Sequence, residues 1–294
     1  MIIALSGATG FIGKPLCALL RDRGHTLRLL GRHAAPPEGF VWDATADPPP
    51  AAAFEGADAV IHLIGEPIAQ RWTRAAWHRI EASRVDSTRR LVKVLAAMET
   101  RPAVLLCASA TGIYGDRGSE VLTETSAPGS DAVARLCQEW ERAAWQAEQL
   151  GMRVVSLRAG LVLGRDGGVL ARMLPAFRLG LGGPLGNGRQ WMSWIHLRDL
   201  VGLIVFALER PDINGPLNGV APEPVTNLEF SRLLGAQLRR PAVLPLPGFA
   251  LRLLFGEMAS ILTASQRVAP SAALDHGFHF EHPALPAALA DVLG

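Results

Sequence analysis

Tyrosine and lysine are nearly absent from this 294-residue chain: Tyr114 is its one tyrosine, and Lys14 and Lys93 are the two lysines among 29 basic residues. Any chemistry that needs a Tyr/Lys pair must draw on those three positions. Cysteine is scarce too. Cys17, Cys107 and Cys137 are odd in number, far apart and without a Cys-x-x-Cys, which argues against a disulfide framework or thiolate zinc site and for buried thiols in a reducing compartment. No stretch reaches the roughly 18 apolar residues of a membrane span, and the opening Met1-Ile2-Ile3-Ala4-Leu5 carries no basic leader, so a cytoplasmic protein is expected. The formal charge is only +2. With arginine scattered rather than in runs, neither nucleic acid nor a membrane is expected as a partner.

What is present is enough apolar material, 49% of residues, to fill a sizeable α/β core. Ile2 to Leu5, Thr26 to Leu30, Ala59 to Ile64, Val104 to Cys107 and Val154 to Leu157 read as strands covered on both faces, because their apolar character is nearly continuous. Helix-period segments separate them: Phe11 to Arg23, Arg74 to Met98 and Ala132 to Leu150. Repeated strand, helix, strand units predict a Rossmann-type doubly wound parallel sheet. After about Gly160 glycines crowd the chain, with Pro175 and Pro184 among them. We therefore divide it into a nucleotide-binding domain, 1–165, and a smaller C-terminal α/β substrate or cap domain, 166–294, with the helix at 197–209 packing back on the sheet. Phe249 to Leu262 reads as a helix apolar enough for a homodimer contact or for a cap over the cleft.

Gly7-Ala8-Thr9-Gly10-Phe11-Ile12-Gly13 follows the first strand and opens the first helix. Glycines belong there if the backbone must turn tightly and let a pyrophosphate reach the helix N-terminus, whose free N–H groups favour an anion. In this context Gly7, Thr9, Gly10, Phe11, Ile12 and Gly13 are expected to hold a dinucleotide. The second strand ends Leu30-Gly31-Arg32-His33, where an NAD-binding chain places an acid for the ribose hydroxyls. Arg32 stands there instead. A guanidinium can pair with a 2′-phosphate, so NADP is the expected cofactor; the competing reading of Arg32 is a solvated loop charge. Asp43, past the third strand, is placed near the adenine, and the fourth strand passes Leu63 and Ile64 beneath the nicotinamide-side ribose.

These residues resemble the extended short-chain dehydrogenase/reductase superfamily, and further blocks resemble its atypical, sugar-nucleotide epimerase-like branch with a C-terminal domain of unknown function. The blocks are Asp58 to Glu66, Arg71-Trp72, Ser83-Arg84 with Thr88, Tyr114 to Gly118, Arg158 to Gly164 with Gly167-Gly168, Gly182 to Gly186, Trp194-Ile195-His196 with Asp199-Leu200, and Asn218 to Pro222. The resemblance implies the fold and NADP binding. It also implies that Arg84 faces the dinucleotide, against a competing reading as a surface charge, and that Ala159 and Gly160 close on the nicotinamide. The family pattern has Asn where this chain has His62.

Typical members of the superfamily use a Tyr four residues ahead of a Lys as general acid/base, the ammonium lowering the phenol pKa. This chain cannot form that pair: four residues beyond Tyr114 is Gly118, and the aligned helix positions carry Val133 and Cys137. Ser109, Thr111 and Tyr114, at the C-terminal edge of the fifth strand, remain as catalytic candidates, since ligands of doubly wound sheets bind at that edge. Tyr114 has a second reading as a structural turn residue. Arg189, Gln190 and Trp191 are candidate substrate contacts, and His196 is a helix cap or core hydrogen bonder before it is a substrate ligand. His276, His279 and His282 alternate along an extended segment, so no metal site is expected. Two functions stay open: an NADP-dependent oxidoreductase or epimerase acting on an unidentified small polar substrate, and a catalytically silent NADP-binding redox sensor or scaffold.

Overall fold

The apolar runs read as strands lie side by side in one sheet. In the computed structural model, which describes residues 1–33 and 38–294, a seven-stranded parallel sheet is built from β1 (Ile2–Ser6), β2 (Thr26–Gly31), β3 (Gly39–Val41), β4 (Ala59–His62), β5 (Val104–Ala110), β6 (Arg153–Ala159) and β7 (Gly215–Gly219). Their order across the sheet is β7-β6-β5-β4-β1-β2-β3. It reverses between β1 and β4, so a crevice opens at the carboxyl ends of those two strands, where doubly wound sheets bind ligands.

Both faces are covered. Helix Gly13–Asp22 and helix Leu197–Glu209 pack on one face through Leu16, Leu20, Leu200 and Ile204. The other is covered by the helical run 74–96 and by helix Ala132–Trp145, through Ile80, Leu91, Leu136 and Trp140. That double coverage is why the strands are continuously apolar. A third apolar cluster joins helix Gly168–Arg178, helix Asn227–Leu238 and helix Leu285–Leu293 around Trp194 and Phe230.

Several expectations need correction. The segment Gly215-Pro216-Leu217-Asn218-Gly219, not among the expected strands, is the edge strand of the sheet, paired with β6 from Gly215↔Val155 to Gly219↔Ala159; Pro216 is tolerated because an edge strand has a free side. The large sheet thus takes its last strand from beyond residue 165. The glycine-rich stretch hides helix Gly168–Arg178, whose Leu170, Leu174 and Phe177 are buried at helical spacing around Pro175. The expected helix Phe249 to Leu262 is broken at Gly256, which takes φ +63° between helix Gly248–Phe255 and helix Ala259–Thr263. The long helix 74–96 contains a π-helical turn at Ala82–Asp86, and β4 stops at His62 rather than Ile64. Among the described residues, no helix is long and apolar enough to cross a membrane.

Candidate functional site

The turn after β1 is shaped by backbone contacts that exclude side chains. Gly7 takes φ +87°, its carbonyl accepts the Gly10 N–H at 3.0 Å, and a Cβ on Gly13 would lie 2.1 Å from that same carbonyl oxygen. Nothing larger than glycine fits at Gly13. Helix Gly13–Asp22 starts there with no side-chain cap and no acid in its first turn; the Lys14 N–H donates to the Gly10 carbonyl at 3.1 Å and Pro15 has none, so the N–H groups of Phe11, Ile12 and Gly13, with the positive dipole end, are left for an anion. Thr9 and Gly10 are exposed at the tip. Phe11 is clamped by glycines, since Cβ atoms on Gly164, Gly167 and Gly168 would all meet its ring at 2.5–3.0 Å. Part of the glycine crowding that looked like a domain exit is thus a seat for this ring, beside which Ile12 packs on the core.

The floor of the crevice is Leu63, whose backbone carbonyl would be 3.0 Å from a Cβ on Gly7. Leu63 and Ile64 are half-buried just beyond β4. Arg32 is exposed past the end of β2. Asp43 binds the Thr45 N–H at 3.0 Å and the Thr45 hydroxyl at 2.7 Å, and these bonds, assisted by the Arg32 charge, hold its carboxyl below the usual range. Both bonds fall on Oδ1, which leaves Oδ2 without an internal partner among the described residues. Ala159 ends β6, and Gly160 fits only because it has no side chain: a Cβ there would stand 2.5 Å from the Ser193 carbonyl oxygen.

Arg84 sits in the π-helical turn. The extra residue re-aims the side chain, so that its Nη1 donates to the Glu66 carbonyl at 2.9 Å and its guanidinium lies over the Trp140 ring and against Gly65. Burial lowers its pKa, opposed by the neighbouring Cys137 and Glu66. It is not a surface charge. Beneath the crevice, fully buried His62 links β4 to β1 and the helix, with Nδ1 2.6 Å from Ser6 Oγ and Nε2 3.1 Å from Ser87 Oγ.

The three hydroxyls proposed for catalysis all have internal partners. Ser109 donates to Glu141 Oε1 at 2.6 Å and Thr111 to Gln266 Oε1 at 3.0 Å. Tyr114 has no exposed surface, donates to Asn218 Oδ1 at 2.7 Å and accepts from Arg158 Nη1 at 3.0 Å. Burial pushes the phenol pKa up, against the lowering influence of Arg158, opposite to what a general base at neutral pH requires. Tyr114 belongs to the core, packed with Ile113, Leu122 and Val268. The turn Thr111–Tyr114 carries its hydroxyl to Arg158 on β6 and Asn218 on β7.

The centre of that polar network went unnoticed in the sequence. Arg158 on β6 and Glu141 on helix Ala132–Trp145 form a buried bidentate pair, Nε to Oε1 and Nη2 to Oε2 both at 2.8 Å. Burial opposes the Arg158 charge, but Glu141 more than offsets it and keeps the guanidinium protonated. A charge at the end of an apolar strand and another on the apolar face of a helix were the available signals. Val133 and Cys137 occupy the positions of the missing dyad; Val133 Cγ1 would be 2.7 Å from a Cβ on Gly112, and burial pushes the Cys137 thiol up to about 12.

Most of the remaining candidates also have internal contacts. Gln190 donates to the Leu185 and Leu262 carbonyls, both at 3.1 Å. Trp191 is half-buried with Arg267 over its ring at 4.4 Å, while Arg189 is exposed. His196 caps helix Leu197–Glu209 by accepting the Arg198 N–H at 3.2 Å. His276 pairs with Asp212, whereas His282 stacks on His196 at 3.9 Å beside Asp199. In that stack His196, Asp199 and His282 each bring one potential ligand atom within 4.8 Å of the others.

The sequence profile of the NAD dependent epimerase/dehydratase family matches residues 3–218, and that of a domain of unknown function, DUF1731, matches residues 246–292. A chloroplastic homolog of the epimerase family protein SDR39U1 from Arabidopsis thaliana is 41% identical over 303 residues, covering 100% of this chain and 87% of its own. The crystal structure of human epimerase family protein SDR39U1 (isoform 2) with NADPH superposes with a TM-score of 0.89 at 35% identity, over 99% of each chain. A nucleoside-diphosphate sugar epimerase from Corynebacterium glutamicum gives 0.83 at 34% identity, over 100% of this chain and 58% of that one.

Proposed function

This chain belongs to the NAD dependent epimerase/dehydratase family, and from that premise we propose that it binds NADP in the crevice between β1 and β4 and acts as an oxidoreductase or epimerase on a small polar substrate. The observation that carries the reading is the Gly7 to Gly13 turn, so tight that any Cβ at Gly13 would strike its backbone, leading into an uncapped helix N-terminus without an acid. Arg32 at the β2 end, where no carboxylate stands to meet ribose hydroxyls, supports NADP over NAD. The human relative crystallised with NADPH points the same way.

When bound, the cofactor supplies or accepts hydride at its nicotinamide. Within this proposal Leu63, Ile64, Ala159 and Gly160 enclose the nicotinamide side, and Arg84 supplies the fixed positive charge that a dyad lysine gives elsewhere in the superfamily. Its guanidinium lies over Trp140, on the helix that carries Cys137 at the lysine's position. The proton partner is then water or the substrate, because Ser109, Thr111 and Tyr114 already donate internally. That same commitment favours the second reading, a dinucleotide-binding protein without turnover. A cytoplasmic setting is part of the proposal, supported by three cysteines that are all buried and unpaired.

Titration of the purified chain with NADPH and NADH, with Arg32→Ala beside it, tests the cofactor assignment. The parent should prefer NADPH and the variant should lose most of that preference; equal affinities in the parent would overturn it. Loss of the reduced nicotinamide's near-ultraviolet absorbance over a panel of carbonyl compounds separates the two functions. No oxidation above the protein-free rate with any compound would favour the silent reading.

A further inference from the structure

The scattered arginines and the broken helix acquire a meaning once the chain is folded. Residues 167–190 and 230–256, far apart in sequence, contain seven arginines and not one Asp or Glu. The fold lays parts of the two stretches side by side: Leu185 and Leu246 form a parallel bridge, the Leu244 N–H donates to the Gly182 carbonyl, and Gly180 rests on Pro241. A basic surface that no local run of the sequence displays is thereby assembled, with Arg178, Arg239, Arg240 and Arg252 all exposed.

The same surface is apolar. Leu179 is 74% exposed and Val243 73%, and on helix Gly248–Phe255 Phe249 and Leu253 are each 77% exposed. That helix buries only Leu251 against the protein. Its outward residues therefore do not cap the cleft, and exposed aromatic and aliphatic groups grouped in this way mark an interaction surface. Between Pro241 and Phe255 the one polar side chain is Arg252.

We propose that this face docks on an anionic lipid bilayer, with helix Gly248–Phe255 lying in the interface and the arginines meeting the headgroups. Three observations select this occupant. A cationic, apolar face complements a negatively charged interface, in which apolar side chains enter the acyl boundary while arginines stay with the phosphates. A two-fold contact between copies would set this basic face against itself, with no acid in either stretch to compensate. A protein partner would look for hydrogen-bonding side chains at about one per 100–200 Å², and between Pro241 and Phe255 Arg252 alone offers any. The expectation of no membrane partner rested on the absence of a local basic run, which this folded surface does not need.

The test is co-sedimentation of the full chain with phosphatidylglycerol vesicles and with phosphatidylcholine vesicles. The parent should sediment with the first and not the second. Arg239→Gln with Arg240→Gln should weaken binding by about fivefold per arginine, and Phe249→Ser with Leu253→Ser by about tenfold or more. All four side chains are exposed, so circular dichroism and NADPH affinity should match the parent, which separates loss of docking from loss of fold or cofactor site. The proposal is overturned if the parent shows no preference for phosphatidylglycerol, or if the Phe249→Ser, Leu253→Ser variant binds as well as the parent. It is equally overturned if light scattering finds a dimer that this variant dissociates, since the face would then belong to a second copy.

Discussion

His62 makes a quantitative prediction about acid. It is completely buried, its ring stacks on Trp42 at 5.6 Å, and its two nitrogens are engaged by Ser6 and Ser87. Because the Ser87 hydroxyl donates to the Ser83 carbonyl at 2.7 Å, Ser87 Oγ is an acceptor for Nε2–H, which assigns Nδ1 as acceptor of the Ser6 hydroxyl proton. That arrangement satisfies the neutral imidazole and leaves no place for a second proton. Burial accordingly pushes the pKa down to about 4 from the ordinary 6.5. Below pH 6.5 the unfolded chain takes up a proton that the native state refuses until pH 4, so stability falls with pH across that window and is unaffected above it. The linkage integral amounts to about 2 kcal/mol between pH 7 and pH 5. Asn at this position places an acceptor near Nδ1 for the Ser6 hydroxyl and does not titrate, while Ser87 keeps its bond to the Ser83 carbonyl. Urea denaturation of parent and His62→Asn, followed by tryptophan fluorescence at both pH values, isolates the effect. His196, whose pKa is also lowered, chiefly by burial, contributes equally to both proteins, and any gap left beside Trp42 is a constant offset. The parent should lose about 2 kcal/mol more than the variant. Equal losses in the two proteins would refute the assignment of a neutral, proton-refusing histidine.

Other substitutions should behave as follows. Glu141→Gln leaves the Arg158 guanidinium buried without a counter-charge and should cost about 3–5 kcal/mol of stability by denaturant midpoint, most of it regained in the double variant Glu141→Leu, Arg158→Met. A cost of the single change below about 1 kcal/mol would mean that the pair is solvated. Gly13→Ala must displace the Gly7 carbonyl, 2.1 Å from the new Cβ, and should reduce NADPH affinity by about tenfold or more in a fluorescence titration while the chain stays folded. Tyr114→Phe deprives Asn218 and Arg158 of a partner and should cost about 1–3 kcal/mol, with NADPH affinity and any NADPH oxidation unchanged. A loss of turnover without a loss of stability would instead make Tyr114 a proton donor.

The parts of this molecule that could be read from its sequence are those whose physics is local. Gly7, Gly10 and Gly13 announce their turn because a tight backbone approach admits one residue type, and β1, β4 and β5 announce themselves because two covered faces require continuous apolar character. β7 could not be found that way. Its Gly-Pro-Leu-Asn-Gly becomes a strand through pairing with Val155 to Ala159, more than fifty residues earlier in the chain. Helix Gly168–Arg178 kept its apolar period but was masked by the glycines that accommodate Phe11, a tertiary demand written in residues that locally signal a loop.

The lone tyrosine illustrates the limit of elimination. Composition correctly excludes the Tyr-x-x-x-Lys pair, but it cannot nominate Tyr114 in its place, because whether a hydroxyl meets substrate depends on where the turn after β5 sends the ring. Here it goes into the core, to Arg158 and Asn218. In the function proposed above, the cation absent from position 137 is supplied across space rather than along the helix, by Arg84 in the π-helical turn Ala82–Asp86, which lies against Gly65 and over Trp140. A search confined to the spacing of the missing pair would see only Val133 and Cys137. The charge that such a site needs is still present, carried by a helix irregularity that apolar periodicity does not reveal.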